Sequence, residues 1–325
     1  MKTYRIAGTP LVVTRIAYGC MGIGGGWDPG PLSEATRKEA LVSVRAALDA
    51  GITFFDHANM YGRGRCEEAF AGIWKERPGL RDSIVLQTKC GIRFPDEPPG
   101  TPRRYDFSRR HILESVEGSL HRLQTDHVDI LLLHRPDALV QPEEVAEAFD
   151  ALAGSGKVRY FGVSNHNPWQ IELLRKHVRQ RFVVNQVELS LVHNQLINAG
   201  VSVNQDAPAL PTHGEGTLEY CRLHDITIQA WSPVAHGAIA RAAEGQGDDR
   251  MRAAAAAAQA MAAKKGVSMD AILVAWLLRH PAGIQPIIGT VRPERIRDAC
   301  AADDVQLSHE EWYALFGAGR GKAVG

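Results

Sequence analysis

The sequence predicts an α/β protein: a single (β/α)8 TIM barrel, one domain over residues 1–325, with an N-terminal β-hairpin and extra helices. Three observations carry this reading. Short apolar, β-branched runs alternate with longer amphipathic ones along most of the chain, the pattern of βα units around a parallel sheet. Eight such runs share 325 residues, about 41 per unit, within the size range of a closed barrel. No linker or low-complexity break divides the chain, and Gly-x-Gly-x-x-Gly occurs nowhere, although residues 19–26 are glycine-rich. Two Rossmann halves are therefore disfavoured, and any nucleotide binds by another device.

Residues 4–14 read as a hairpin turned at Gly8-Thr9-Pro10. Strands follow at 15–18, 53–56, 84–88, 128–133, 160–163, 183–187, 227–230 and 285–288. The first helix, 33–50, opens on Ser33 as N-cap and stops at Gly51. Further helices are expected at 66–76, 108–123, 142–153, 168–178, 217–224 and 293–301. Two more, 249–265 and 268–279, separate the last two strands; the first contains Ala253–Ala258, and alanine is the best helix former. Residues 154–157 (Gly-Ser-Gly-Lys) lack the spacing of a phosphate loop and read as a helix-to-strand turn. The stretch 193–216 is irregular, and reads either as a functional lid or as a tolerated surface insertion.

Composition narrows the function. Lys and Arg number 37 and Asp and Glu 37, a balance unlike the basic surplus of a nucleic-acid binder. It fits a monomer and an assembly alike. Hydrophobic residues at 45% and charged ones at 23% are ordinary for a packed domain. No apolar run is long enough to span a membrane, and the start at Met1 has no signal-peptide core, so a soluble, cytoplasmic chain is expected. Five cysteines are scattered without a Cys-x-x-Cys pair and His-Glu-x-x-His is missing, so neither disulfides nor a metal is expected.

Chemistry in such a barrel sits at the C-terminal ends of the strands. There the sequence places Asp56, with Tyr61 five residues on, then Lys89 and His134. Each alone has a structural reading: an acid and a lysine can pair, and a strand-terminal histidine can be a satisfied packing residue. Together they are a convergent titratable cluster. Lys89, held by Asp56, would stabilise a Tyr61 phenolate and lower the tyrosine pKa, and His134 would orient a carbonyl oxygen. That suits carbonyl reduction with Tyr61 as proton donor. No side chain supplies hydride, so a nicotinamide cofactor is implied.

The chain resembles the aldo-keto reductase superfamily across nearly its whole length. The resemblance lies in Asp56-His57-Ala58-Asn59-Met60-Tyr61-Gly62, Thr88-Lys89-Cys90-Gly91, Leu133-His134-Arg135-Pro136-Asp137, Gly162-Val163-Ser164-Asn165, Asn185-Gln186-Val187-Glu188, Trp231-Ser232-Pro233 and Ile287-Ile288-Gly289-Thr290. It is similar to bacterial members and to potassium-channel β-subunits more than to mammalian aldose reductase. The resemblance implies the tetrad Asp56, Tyr61, Lys89 and His134. It implies that Ser164, Asn165 and Gln186 hold the nicotinamide carboxamide, and that Trp231 stacks on the ring where the family more often has tyrosine. Ser232 and the backbone near His236-Gly237 would meet the pyrophosphate, with Pro233 also binding the cofactor. Gly289, Thr290, Arg292 and Arg295 would hold an adenosine 2′-phosphate, pointing to NADP(H), since a guanidinium fork suits a phosphate dianion. Asp298 stands where the family usually has a glutamate contacting adenine, and Ala299 departs from the customary asparagine.

The function so implied is an NADPH-dependent aldehyde or ketone reductase acting on a small-molecule carbonyl. The alternative is an NADPH-binding barrel that regulates a partner with slow turnover. Trp27 is a candidate wall of the substrate pocket. The loop 91–108 carries Arg93, Arg103, Arg104, Phe94 and Tyr105, which would either receive an anionic substrate or form a solvated basic edge. His57 is expected to turn into packing, and His166 to lie near the cofactor cleft. The glycine-rich tail after Phe316 is expected to add little to the pocket.

Overall fold

In the computed structural model, which describes residues 1–203, 214 and 216–323, eight parallel strands close into a barrel. A hairpin of β1 (Thr3–Arg5) and β2 (Val12–Thr14) precedes barrel strands β3 (Ala17–Gly19), β4 (Phe54–Asp56) and β5 (Val85–Cys90). A second hairpin, β6 (Ile92–Arg93) and β7 (Arg104–Tyr105), interrupts the series. The ring is completed by β8 (Val128–Leu133), β9 (Val158–Ser164), β10 (Phe182–Glu188), β11 (Thr227–Trp231) and β12 (Gln285–Ile288), which pairs back onto β3. All eight expected strands are present. Several run further at their C-terminal ends than their apolar runs suggest, because the ladder continues through residues of the mouth: Cys90 pairs with Leu133, Ser164 with Gln186 and Glu188 with Trp231. Asp56, Lys89, Ser164 and Gln186 at the mouth are thus carried on strand.

The helices are α1 (Glu34–Asp49), α2 (Arg65–Ala71), α3 (Ile73–Glu76), α4 (Arg109–Leu123), α5 (Pro142–Gly154), α6 (Pro168–Arg175), α7 (Gln195–Val201), α8 (Thr217–Leu223), α9 (Ala238–Ala243), α10 (Asp249–Lys265), α11 (Met269–Leu278), α12 (Pro293–Cys300) and α13 (His309–Arg320). The single helix expected over 66–76 is two, parted at Gly72, a poor helix former. The β6–β7 hairpin, α7, α9 and α13 were not expected. A capping box between Ser308 and Glu311 starts α13, which stacks Trp312 on Trp276 with ring centroids 5.1 Å apart. So much of the tail is packed on the barrel. The stretch 193–216, expected to be irregular and read as a lid or an insertion, begins with α7, and its residues 204–213 and 215 lie outside the described residues.

The two ends of the barrel interior differ. At the N-terminal end Ile6 and Val13 of the hairpin pack with Phe54, Val85, Ile130 and Val183 in one buried cluster, so the hairpin plugs that end with hydrocarbon. Toward the other end lies a buried polar level: Gln87, Gln186, Gln229 and Gln285, with Asp56 and Lys89 beside them. Among the described residues, no helix is long and apolar enough to cross a membrane.

Candidate active site

Asp56 ends β4, Lys89 lies near the end of β5, and the chain after β8 begins with His134. The Lys89 side chain is wholly buried and donates from Nζ to Asp56 Oδ1 (2.8 Å) and Oδ2 (2.7 Å), to the His57 carbonyl (2.9 Å) and to the Tyr61 hydroxyl (3.1 Å). Tyr61 is delivered by a short turn, Tyr61–Gly64, in which Gly62 and Arg63 take left-handed backbone. Its ring meets His134 edge to face with centroids 5.8 Å apart. The four residues therefore form one contiguous cluster. Asp56 Oδ1 also accepts from Gln87 Nε2 (2.7 Å) and Gln186 Nε2 (3.0 Å).

The electrostatics follow from this packing. Burial opposes the Lys89 ammonium, but the Asp56 carboxylate and the Tyr61 oxygen together leave its pKa above the ordinary lysine value. Burial raises the Tyr61 pKa above the usual tyrosine range, and the Lys89 charge, although it pulls downward, does not overcome this. The net lowering anticipated for Tyr61 is thus reversed: desolvation at the barrel mouth outweighs one ammonium that a carboxylate already neutralises. At neutral pH the phenol keeps its proton. Burial, with the charges of Lys89, Arg135 and Arg103, holds His134 well below the usual histidine range, so its imidazole is neutral, and its Nδ1 is buried without a partner. His57 turns into packing against Phe70, centroids 4.8 Å apart, and burial lowers its pKa to about 3. His166 is buried, with Nδ1 hydrogen-bonded to the Ser164 carbonyl (2.9 Å).

One cavity of about 720 Å³ opens over the cluster, a size typical of small-molecule sites. At one end it is lined by Asp56, Tyr61 and His134 with Met21, Trp27, Met60 and Ile92; at the other by Glu244, Asp270, Arg295 and Ala299. Between them lie Ser164, Asn165, Gln186, Trp231, Ser232, Pro233, Gly237, Gly289 and Thr290, every one singled out from sequence. Trp27 is about half exposed and meets Phe94 edge-on at 6.4 Å, forming an aromatic lip. Arg93 does not line the cavity; it donates to Asp106 (2.7 Å), and Arg103 lines the rim instead. Arg292 and Asp298 are exposed and also outside the lining, whereas Arg295 and Ala299, one helical turn apart on α12, face inward. Arg295 donates Nε (3.0 Å) and Nη2 (2.8 Å) to Asp270 Oδ2, an acid that the sequence reading did not single out.

The middle of the cavity suits an extended, phosphate-bearing cofactor. Asn165, Ser232, Ala235 and His236 are non-glycine residues with φ between 51° and 62°, and Gly237 follows at 75°. Such left-handed backbone is disfavoured and collects where a binding site demands it. A Cβ placed on Gly289 would meet nothing within 4 Å, so this wall stands open. Asn165 donates to Ser164 Oγ (2.8 Å) and the His134 carbonyl (3.2 Å) and accepts from Trp231 Nε1 (3.1 Å), which ties the middle of the cavity to the tetrad. Arg135 lies over the Trp231 ring at 5.6 Å. Among the described residues no cluster of His, Cys, Asp or Glu could hold a metal ion.

The sequence profile of the aldo/keto reductase family matches residues 15–318. The 6-dehydroglucose reductase of Agrobacterium fabrum is 39% identical over 316 residues, 97% of each chain. The uncharacterized oxidoreductase YcsN of Bacillus subtilis is 41% identical over 286 residues, 87% of this chain and 89% of that one. Among solved structures, the glycerol dehydrogenase of Gluconobacter oxydans superposes with a TM-score of 0.78 at 24% identity, covering 97% of this chain and 94% of that one. A thermostable aldo-keto reductase, Tm1743, solved with the inhibitor epalrestat, gives 0.76 at 24%, covering 98% and 100%. These likenesses carry the fold, and the profile and the two sequence relatives carry the family. This chain, a closed eight-stranded barrel with an acid, a lysine, a tyrosine and a histidine gathered at its mouth, belongs to the aldo/keto reductase family.

Proposed function

We propose that the chain is an NADPH-dependent reductase of aldehydes and ketones in which Tyr61 is the general acid. The observation that carries this is the contact of Tyr61 with Lys89 (3.1 Å) and His134 on the floor of one cavity whose far end holds Arg295. The cofactor supplies hydride when bound; the remaining work falls to the chain. Ser164, Asn165 and Gln186 hold the carboxamide and Trp231 stacks on its ring. The turn from Ser232 through Pro233 to Gly237, left-handed at Ser232 and Gly237, receives the pyrophosphate, and Gly289, Thr290 and Arg295 receive the adenosine end. His134, neutral, donates its one N–H to the substrate carbonyl oxygen and orients it. Tyr61 transfers its proton to that oxygen as the carbonyl becomes an alcohol, and the Lys89 ammonium stabilises the phenolate left behind. Asp56 keeps Lys89 charged and in place. The whole chain serves this as one domain, and the closed barrel supports that reading.

The substrate end combines Trp27, Met60 and Ile92 with Tyr61 and His134. The 39% identical relative is named for 6-dehydroglucose, so a carbonyl-bearing sugar belongs beside simple aldehydes in any panel. The test follows NADPH absorbance while protein meets that panel, with Tyr61→Phe in parallel. Wild type consumes NADPH and the variant is at least ~100-fold slower, the usual worth of a general acid. Equal rates in both proteins remove Tyr61 from its role. Tight NADPH binding without turnover in either protein would replace the reductase with a regulatory binder.

A further inference from the structure

The buried polar level beneath the cavity has a direction. Strand register places its members together: Asp56 opposite Gln87, and Gln186, Gln229 and Gln285 side by side. All four amides are buried. At one end, Gln285 Nε2 donates to the carbonyl of Thr14 (2.8 Å), a group that can only accept. That contact turns Gln285 Oε1 toward Gln229, whose Nε2 donates to it at 2.9 Å. Gln229 then has only its oxygen to offer on its other side. It accepts there from both Gln87 Nε2 (2.8 Å) and Gln186 Nε2 (3.0 Å). Each of those two NH2 groups spends its second hydrogen on Asp56 Oδ1, at 2.7 and 3.0 Å.

From this geometry we propose that Gln229 and Gln285 are positioning residues. They set the polarity of the Gln87 and Gln186 amides, so that both present N–H groups to Asp56 and Gln186 keeps its side-chain oxygen for the cavity. Two details support it. Gln87 Oε1 is buried with no partner, so that amide forgoes a bond of its own to keep its nitrogen on Asp56 and Gln229. Gln186 lines the cavity, and its side-chain oxygen takes no bond from the described residues. A reversed amide at either place would set an oxygen against the Asp56 carboxylate, and a reversed Gln186 would present a donor to the ligand. The reaction assigned to the relay rests on the reductase reading above; the ligand-facing polarity of Gln186 does not.

Gln229 and Gln285 are outside the cavity lining, so the full chain carrying Gln229→Leu, Gln285→Leu or Gln229→Glu tests the relay. The readouts are kcat, KM and their pH profiles with NADPH and an aldehyde, and NADPH affinity by tryptophan fluorescence. Gln229→Leu lowers kcat about tenfold, as expected for one weakened hydrogen bond to a charged group, with little change in aldehyde KM. It also weakens NADPH binding, because Gln186 loses its fixed orientation; Gln285→Leu does the same to a smaller extent. Gln229→Glu is the discriminating variant. Its protonated carboxyl both accepts from Gln87 and Gln186 and donates to Gln285, so it recovers wild-type kcat and NADPH affinity at acid pH and loses both as it ionises. A merely structural relay would lower the yield of folded protein and leave kcat per folded site, NADPH affinity and the pH profile as in wild type, and that result overturns the proposal. Should wild type bind NADPH but turn over no carbonyl in the panel, the reductase reading fails, while NADPH affinity in the Gln229 variants still decides the relay.

Discussion

Lys89 offers a way to separate what the site does for stability from what it does for chemistry. Its ammonium is completely buried and meets both Asp56 oxygens, the His57 carbonyl and the Tyr61 hydroxyl, all within 3.1 Å. Lys89→Met keeps the length of the side chain and removes the charge. Asp56 is then left as a buried carboxylate supported only by Gln87 and Gln186. Removing one partner of a buried pair typically costs about 3–5 kcal/mol, and the two remaining amide donors place this site toward the lower end. Replacing both charges avoids the orphan: in Asp56→Asn/Lys89→Met the two glutamines still donate to the side-chain carbonyl of the new amide. The double variant therefore regains most of the lost stability, leaving a deficit of about 1 kcal/mol. Urea denaturation gives the stabilities, and NADPH-dependent turnover the activities. Activity does not return with stability, because neither variant has an ammonium to stabilise the Tyr61 phenolate. A double variant as unstable as Lys89→Met, or a single variant within about 1 kcal/mol of wild type, refutes the account of a tightly paired buried charge.

Three further outcomes follow. His57 and His166 are buried neutral, with pKa values lowered to about 3 and about 4, so their contribution is complete above about pH 6.5 and is lost as pH falls from there toward those values, by about 1.4 kcal/mol per pH unit for each. The urea midpoint therefore falls steeply below pH 6, and His57→Leu makes that slope shallower by one proton; an unchanged slope means His57 does not titrate in this way. Arg295→Leu weakens NADPH about tenfold while leaving NADH nearly untouched, as measured by fluorescence titration; equal weakening of both assigns Arg295 to joining α12 and α11 through Asp270. Because burial holds the Tyr61 proton above the usual tyrosine range, aldehyde reduction is flat through neutral and mildly alkaline pH. Alcohol oxidation, which needs the phenolate, rises with pH over the same range; a reverse reaction that peaks near neutrality would mean another base takes the proton.

Much of this was legible in the sequence, for a physical reason. Parallel strands buried on both faces read as unbroken apolar runs, so the first polar residue after each run marks the barrel mouth. That is how Asp56, Lys89, His134, Asn165 and Trp231 could be placed from sequence, and the structure sets four of them around one cavity with Lys89 buried behind Asp56. What escaped notice lay inside the runs. Gln87, Gln229 and Gln285 interrupt apolar strands with a neutral polar side chain, and a single interruption resembles ordinary variation. Only register, which puts Gln186, Gln229 and Gln285 on one level, turns three interruptions into a chain of bonds. A polar residue two places before a strand-end site residue, as Gln87 stands to Lys89 and Gln229 to Trp231, points to the same side of the sheet and was the available signal. Direction escaped too. Sequence placed arginines near the cavity, but side-chain choice of Asp106 by Arg93 and of Asp270 by Arg295 depends on how the chain beside the β6–β7 hairpin and the start of α11 pack, which no local pattern specifies.

The sign of the tyrosine shift shows why neighbouring charge alone is a poor guide to chemistry in such a site. An isolated ammonium 3.1 Å from a phenol would favour the phenolate. Here the ammonium already faces a carboxylate at 2.7 Å, and the pair has little net charge to lend. Desolvation of the phenol is not offset in the same manner, so the proton stays. In the proposed reduction that is the useful outcome: Tyr61 would be loaded at neutral pH, and Lys89 would act only as negative charge builds on the tyrosine oxygen during transfer. The Asp56 that lessens the effect of Lys89 on the resting phenol is the same group that keeps Lys89 charged under full burial. The bonds that Gln87 and Gln186 make to Asp56 hold that balance in place, and the fixed polarity of the amide chain, set by a backbone carbonyl at Thr14, keeps their nitrogens aimed at it. Stability at the mouth and readiness of the proton donor are therefore two consequences of one buried hydrogen-bond system, and only the double variant, which removes both charges at once, can pull them apart.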